Sequence, residues 1–228
     1  PSDAPIKSLA HLLKNIPPAR LFEESLKLLQ SGYGVKTYRL LRQYGLFEPL
    51  FPLLTPYFTE YEDSMTEKMI LRALTSTDDR VADKLPINPA FLFAAFFWYP
   101  LRERVEVLKN EGGLNNYDAY ALASNDVLEQ LCKSLAVPRR HTAVIREIWL
   151  LQLQFLKRTP KSVQRAIEQA KFRAGFDLLV IRAEIEGGEA VELAAWWHEY
   201  QFSNESQRQD LVKALPSQPK KRKYHRRK

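Results

Sequence analysis

Apolar side chains recur at steps of three and four residues along most of the chain, which is the spacing of an α-helix with one buried side. The stretch PPARLFEESLKLLQSG shows this most clearly. Its apolar residues fall on a single stripe, formed by Leu21, Phe22, Leu26 and Leu29. The two prolines suit the first turn of a helix, where a missing N–H loses no partner. Gly32 then supplies the residue at which such a helix commonly ends.

The same spacing predicts helices over most of the remaining chain, while strand signals are nearly absent. We find no sustained apolar–polar alternation and no Asn-Gly or Asp-Gly hairpin turn. Pro100 is expected to kink or split the helix that contains it. We therefore predict an all-α chain of about nine or ten helices. The predicted helices after the first span residues 35–44, 64–75, 88–109, 116–135, 139–158, 161–185 with a break, and 189–202.

The composition changes from Ser203 onward, where the sequence becomes polar and is interrupted by prolines. Such a segment cannot bury enough apolar surface to offset the entropy lost on ordering. We expect residues 216–228 to be disordered when they are not bound to a partner.

Charge is distributed unevenly along the chain. The protein has 34 Lys and Arg against 27 Asp and Glu, a net charge of +7. Residues 219–228, PKKRKYHRRK, hold seven of these bases and no acid, so the first 218 residues are neutral overall. A folded domain needs no such appendix, which is typical of a nuclear import signal or of a patch that binds a polyanion.

A second basic block lies at residues 138–173, with nine bases and two acids. Its basic residues are Arg139, Arg140, Arg146, Lys157, Arg158, Lys161, Arg165, Lys171 and Arg173. On the predicted helix 139–158 the buried side is marked by Ile145, Ile148, Trp149, Leu151 and Phe155. The basic side chains can then remain in water, either to bind a polyanion or to pair with the acidic stretches on each side.

Signatures of catalysis are missing from the chain. We find no Gly-x-x-x-x-Gly-Lys loop, no Gly-x-Gly-x-x-Gly, no Cys-x-x-Cys and no His-Glu-x-x-His. The four histidines and the single cysteine, Cys132, form no metal-binding spacing. Asp78 and Asp79 are adjacent, so their side chains would diverge in an extended segment, and we interpret them as loop and helix-cap residues.

Compartment and membrane signals are equally sparse. One cysteine excludes an internal disulfide and fits a reducing compartment. The longest apolar run, residues 90–99, is about half of the roughly 20 residues that a membrane helix needs. We interpret it as a buried core helix and expect no membrane association.

Four strings resemble the C-terminal half of the bacterial poly(A) polymerases in their order and spacing. They are IPPARLFEESLKLLQSGYG, INPAFLFAAFFWYPL, NDVLEQLCKSLAVPRR and KFRAGFDLLVIRAE, and the resemblance extends over residues 5–202. These enzymes belong to the family that includes the tRNA CCA-adding nucleotidyltransferases. The resemblance implies helical neck, body and leg parts, which we place as neck and body helices at residues 1–60, a leg region at 61–203, and a polar linker with a disordered basic tail at 204–228.

The resemblance also implies where the chemistry resides. In this family an α/β catalytic head carries a Gly-Ser turn and an Asp-x-Asp pair that hold two metal ions and ATP. Neither motif occurs in this sequence. We therefore expect ATP and Mg²⁺ to be bound by a head outside this chain, and we assign no catalytic, cofactor-binding or metal-binding residue here.

The function implied by the resemblance is RNA binding within an enzyme that adds adenylate residues from ATP to RNA 3′ ends, in the polyadenylation that promotes RNA decay. Cations of the tail would contact phosphates without reading sequence. They are Lys220, Lys221, Arg222, Lys223, Arg226, Arg227 and Lys228. Tyr224 and His225 would stack on an unpaired base. In the folded part the candidate RNA-binding residues are Arg139, Arg140, Arg146, Lys157, Arg158, Lys161 and Arg165.

The expected partners are RNA 3′ ends, the catalytic head in the same protein and RNA-decay proteins, in the bacterial cytoplasm. The fragment alone is expected to be inactive. Two alternatives stay open from the sequence: the corresponding half of a CCA-adding tRNA nucleotidyltransferase, and a helical scaffold protein with a basic import tail.

Overall fold

The computed structural model describes residues 3–215, with side chains from Ile6 onward. All regular structure in this range is helical, which confirms the predicted all-α class. The same range contains thirteen α-helices and two 3₁₀ helices, more than the number predicted, because short helical turns join the longer elements. The α-helices are α1 (Asp3–Leu9), α2 (Pro18–Leu29), α3 (Gly34–Gln43), α4 (Phe47–Leu50), α5 (Met65–Ala82), α6 (Pro89–Phe96), α7 (Trp98–Asn110), α8 (Asn116–Ser134), α9 (Arg139–Phe155), α10 (Pro160–Ile167), α11 (Phe172–Glu186), α12 (Gly188–Phe202) and α13 (Glu205–Lys213); the 3₁₀ helices are Ala10–Asn15 and Pro52–Tyr57.

The apolar run forms α6, in which every residue from Ala90 to Phe96 is buried, as expected for a core helix. The predicted split of the helix at residues 88–109 is confirmed, and the break lies at Phe97. Pro100 therefore stands in the first turn of α7, where its missing N–H is tolerated. None of the helices described is both long enough and apolar enough to cross a bilayer.

Asp78 and Asp79 lie inside α5, so the prediction that they belong to a loop is wrong. Helix α5 runs further than predicted because no Gly or Pro interrupts it. The Asp78 carboxylate instead accepts hydrogen bonds from the backbone N–H groups of Gly34 (2.7 Å) and Val35 (3.1 Å). It thus caps the start of α3 from a neighbouring helix.

The larger hydrophobic core lies among α2 to α9, with part of α11. Its centre is a group of phenylalanines whose ring centroids lie 4.6–6.2 Å apart, comprising Phe47, Phe51, Phe93 and Phe96. Phe47 and Phe51 precede residue 60 and the other two follow it, so the core is continuous across that position. The division into neck, body and leg stays a prediction.

A smaller core joins α9, α10, α11 and α12, with Trp197 fully buried at its centre. The indole N–H of Trp197 donates to the backbone oxygen of Phe155 at 3.0 Å. Gly175 lets α11 approach α9 closely, because a Cβ at this position would lie 2.7 Å from Leu151 Cδ1. Helix α9 contributes buried residues to both cores and is fixed by them.

The stretch predicted to be a polar linker begins with a helix, α13. Asn204 and Gln207 form a reciprocal capping box at its start. Arg208 then donates to the backbone oxygens of Tyr200 (3.0 Å) and Gln201 (3.1 Å), which secures α13 against the end of α12. This short polar segment forms a helix because the capping side chains supply hydrogen bonds that the end of a short helix lacks. The basic tail and its predicted disorder fall outside the described residues.

Candidate nucleic-acid interface

Helix α9 turns its apolar side into the protein, as its sequence predicted. The residues expected on that side are all buried, namely Ile145, Ile148, Trp149, Leu151 and Phe155. Two polar contacts fix the orientation further. The Trp149 indole donates to the Ala94 oxygen at 2.9 Å, and the Gln152 amide donates to the Gly175 oxygen at 2.9 Å. The opposite side of α9 is held facing solvent.

Three candidate cations form a row on this solvent side. Arg146 lies seven residues after Arg139 on α9, and Lys157 lies eleven residues later, two residues beyond the end of the helix at Phe155. At 3.6 residues per turn the first spacing places Arg139 and Arg146 within about 20° of each other around the helix axis, and α9 itself is about 25 Å long. Arg146 donates to Asn125 Oδ1 at 2.7 Å, so the row follows the seam between α9 and α8.

Helix α10 adds two more cations near the end of this row. Thr159 accepts a hydrogen bond from the Ser162 N–H and caps the helix, while Val163 and Ala166 are buried beneath it. Lys161 and Arg165 are exposed and lie four residues apart, on neighbouring positions of the helix surface. We call Arg139, Arg146, Lys157, Lys161 and Arg165 together the basic row.

Lys157 and Arg165 meet at a groove between the start of α8, the end of α9 and α10. The groove has a volume of about 390 Å³, and its walls include Tyr117, Leu153 and Leu156. Sequence reasoning missed Tyr117, because it lies outside the basic block and only the fold brings α8 beside α9. No acidic side chain lines this groove among the residues described.

Two predicted candidates lie away from the row. Arg140 follows Arg139 by one residue on α9 and so lies about 100° around the helix, while Arg158 lies after the end of α9. Arg140 donates to His141 Nε2 at 3.3 Å. Burial and the nearby Arg140 charge lower the pKa of His141 from its ordinary value, which favours the neutral ring as acceptor. The Arg158 guanidinium lies 5.5 Å from the ring centroid of Trp196. The basic block is therefore divided into two surfaces.

The candidate cations of the folded part are not neutralised by acidic side chains of the described residues. Within residues 3–215, no ion pair joins an acidic side chain to any of the seven folded candidates, in contrast to Arg173, which pairs with Asp177 at 2.9 Å. The alternative of a surface that pairs with flanking acidic stretches is not what these side chains do. An uncompensated row of this length matches an extended polyanion.

The described residues offer no fit for a metal ion. Nowhere in residues 3–215 do three or more His, Cys, Asp or Glu side chains come together in a group that could hold one. Cys132 is half-buried, and burial raises the pKa of its thiol, which favours the neutral form of a packing residue over a metal-binding thiolate. We assign no chemical step to these residues.

Two family models match the chain. One, described as "Polymerase A arginine-rich C-terminus", covers residues 112–228 and so includes the basic row and the tail. The other, described as "Probable RNA and SrmB- binding site of polymerase A", covers residues 2–58, where sequence analysis selected no RNA-binding residue. In that region Tyr33, directly before α3, is 69% exposed, and Lys36 on α3 is exposed. The bases of this region are spread thinly along the sequence, so charge density singles out no residue there.

Curated relatives of the chain are bacterial enzymes. The chain is 72% identical to Poly(A) polymerase I of Haemophilus influenzae over 98% of its own length and 50% of that protein. It is 50% identical to Poly(A) polymerase I of Escherichia coli O6:H1, over 98% of the chain and 48% of that protein. It is 51% identical to Poly(A) polymerase I of Salmonella typhi, over 94% of the chain and 46% of that protein. The chain spans about half the length of these relatives, and with a family model covering more than half of its residues it belongs to the poly(A) polymerase family.

Proposed function

We propose that this chain is the RNA-holding helical half of an enzyme that adds adenylate residues from ATP to RNA 3′ ends. The basic row carries this proposal. Its cations lack acidic partners within residues 3–215, all except the half-buried Arg146 are exposed, and two of them stand on α9, which is fixed by two cores. Lys and Arg contacts to phosphates supply affinity without selecting sequence. Such contacts suit an enzyme that must accept many different RNA ends.

The chemistry of the whole enzyme belongs to residues outside this chain. ATP and Mg²⁺ would be bound by the catalytic part of the same protein, and this chain alone would be inactive. The names of the relatives support nucleotidyl transfer as the reaction. The relatives are bacterial, and we propose work in the cytoplasm, in the polyadenylation that leads to RNA decay. The model over residues 2–58 is described as a probable binding site for SrmB as well as RNA, which supports a second partner besides RNA; the expected RNA-decay proteins stay a prediction.

The tail is the second part of the proposed RNA surface. Its cations would hold phosphates, while Tyr224 and His225 would stack on an unpaired base. The arginine-rich description of the model over residues 112–228 supports this role. Arg140, which donates to His141, and Arg158, which lies against Trp196, would contribute from outside the row.

Binding of this chain to an unstructured RNA over a series of salt concentrations tests the proposal. Each phosphate contact on a single strand contributes about −0.7 to the slope of log affinity against log salt. Ending the chain at Ser217 removes seven tail cations and should reduce the slope by about 5. Replacing four residues of the row by Gln should reduce it by about 3. These four are Arg139, Arg146, Lys157 and Arg165.

Lys68 and Lys84 provide the matched control, because both are exposed and lie on α5 and its end, away from the row. Replacing both by Gln should leave the slope within error of the unaltered chain. RNA holding by this chain is refuted if neither the truncation nor the row variant changes the slope by as much as one contact. Incubation of the chain with ATP, Mg²⁺ and RNA should give no extension, and extension would refute the proposal that catalysis lies elsewhere.

A further inference from the structure

The groove at the end of the basic row has the size of a site for a small organic group. Its volume of about 390 Å³ falls within the roughly 300–1,000 Å³ typical of such sites. It lies between the first turn of α8, the last two turns of α9 and α10. The groove therefore combines rigid helical walls with a position that continues the row of cations.

Tyr117 forms an open aromatic wall of this groove. Its side chain is 60% exposed, whereas Tyr120 on the same helix is 6% exposed and packs against Trp98. In the part of the chain that the structure describes, the Tyr117 ring contacts no other ring and its hydroxyl has no hydrogen-bond partner. The backbone N–H of Tyr117 donates to Asn115 Oδ1 at 3.0 Å, which fixes the start of α8 beneath the ring. The exposed π-face of the ring is available for stacking.

The floor of the groove is apolar although it faces outward. Leu150 and Leu153 lie on the same side of α9 as Arg146, and Leu156 at the helix end is 55% exposed. Part of the apolar surface of these side chains therefore faces solvent beside the cations, where a flat ring would cover it. The faces of nucleobases meet this requirement, since they are apolar and stack on aromatic side chains.

The charges around the groove fit a phosphate. Lys157 and Arg165 stand at its edge, and neither has an acidic partner within residues 3–215. Several backbone N–H groups at these two helix starts are already bonded, because Asn115 accepts from Tyr117 and Asp118 and Thr159 accepts from Ser162. A phosphate at this place would depend mainly on the two side chains.

We propose that this groove binds one unpaired nucleotide of the RNA, with its base against Tyr117 and its phosphate held by Lys157 and Arg165. The inference rests on the proposed function and names a specific subsite within it. An acidic peptide would match the two cations. The continuation of the same charge along the roughly 25 Å of α9 favours an extended strand of phosphates over a short peptide.

The test measures the affinity of the 228-residue chain for a short unstructured RNA that carries the fluorescent base 2-aminopurine. Tyr117→Ala should weaken binding by roughly 5- to 150-fold, which is the range for losing one base–aromatic stack. It should leave the salt slope unchanged, because it removes no charge. Tyr117→Phe should bind within about twofold of the unaltered chain, since the ring remains. Arg165→Gln should reduce the slope by about 0.7.

Tyr61→Ala is the matched control, because Tyr61 is 78% exposed and lies before α5, away from the groove. It should leave RNA affinity unchanged. Circular dichroism should show all variants equally folded, as Tyr117 has little buried surface to lose. Full RNA affinity in Tyr117→Ala overturns the subsite, even if a protein partner is later found to use the groove. If the unaltered chain itself does not bind RNA, the proposed function is overturned instead.

Discussion

Replacement of Glu67 by Ala should destabilise the fold more than loss of any exposed ion pair. Glu67 is completely buried in the first turn of α5. Its carboxylate accepts hydrogen bonds from Arg42 Nη1 (2.7 Å), from both the N–H and hydroxyl of Thr59 (2.9 Å each) and from the Ser64 hydroxyl (3.0 Å). It therefore ties together α3, α5 and the segment between them.

The size of the effect follows from what remains after the substitution. Breaking a buried ion pair by removing one partner costs about 3–5 kcal/mol, because the other charge is left without compensation. Arg42 would keep Glu48 at 2.9 Å and the face of Phe58, whose ring centroid lies 3.9 Å away. This residual support places the expected loss at the lower end, about 3 kcal/mol. For a chain of this size the melting temperature should fall by about 6–12 °C.

Urea unfolding followed by circular dichroism measures this loss as a lower midpoint at unchanged slope. Glu24→Ala is the control, because the Glu24–Lys27 pair is exposed and such pairs contribute about 0–1 kcal/mol. A loss below about 1 kcal/mol for Glu67→Ala would show that the buried pair contributes no more than an exposed one. The reasoning from burial and hydrogen bonds would then be refuted.

Three further outcomes are expected. Burial raises the pKa of Glu67, but hydrogen bonds from Thr59 and Arg42 outweigh it and hold that pKa below its ordinary value. The stability that this carboxylate contributes is therefore present above its unfolded-state pKa and lost as the pH falls through its folded-state pKa. In urea unfolding at decreasing pH, Glu67→Gln should lose less stability than the unaltered chain. Asp78→Ala should cost about 1–2 kcal/mol in urea unfolding by removing a helix cap, whereas Asp79→Ala, exposed beside it, should cost under about 0.5. Gly175→Ala should cost about 1–3 kcal/mol in the same assay through overpacking against α9, and a neutral result would show that the helices can separate freely.

The sequence was sufficient for the fold class and for the buried side of α9, because both depend on local periodicity. The stripe that includes Ile145 and Trp149 has the 3.6-residue spacing that core packing demands. Asp78 shows where this reasoning stops. Its carboxylate caps a helix more than forty residues earlier in the chain, and a bond at that separation leaves no local signal.

The candidate interface could likewise be predicted only as far as local sequence patterns reach. Runs of Lys and Arg revealed the basic block, since charge density is visible in sequence. Its division into two surfaces depends on helix phase, which separates Arg139 from Arg140 by about 100°. Tyr117 could not be foreseen, because it becomes relevant only when α8 lies beside α9. Long-range packing therefore decides which of the visible charges share a surface with an aromatic ring.

Helix α9 joins stability and RNA binding in one element, yet its two sides make the two properties separable. Its inner side contributes Ile148 and Phe155 to different cores, so changes there should lower stability and RNA affinity together. Arg139 on the outer side and Lys157 just beyond the helix are exposed and belong to neither core. Charge removal on this side should therefore alter the salt dependence of RNA binding while the unfolding midpoint stays constant. If both properties changed in proportion, the basic row would be part of the folded framework instead of a surface for RNA.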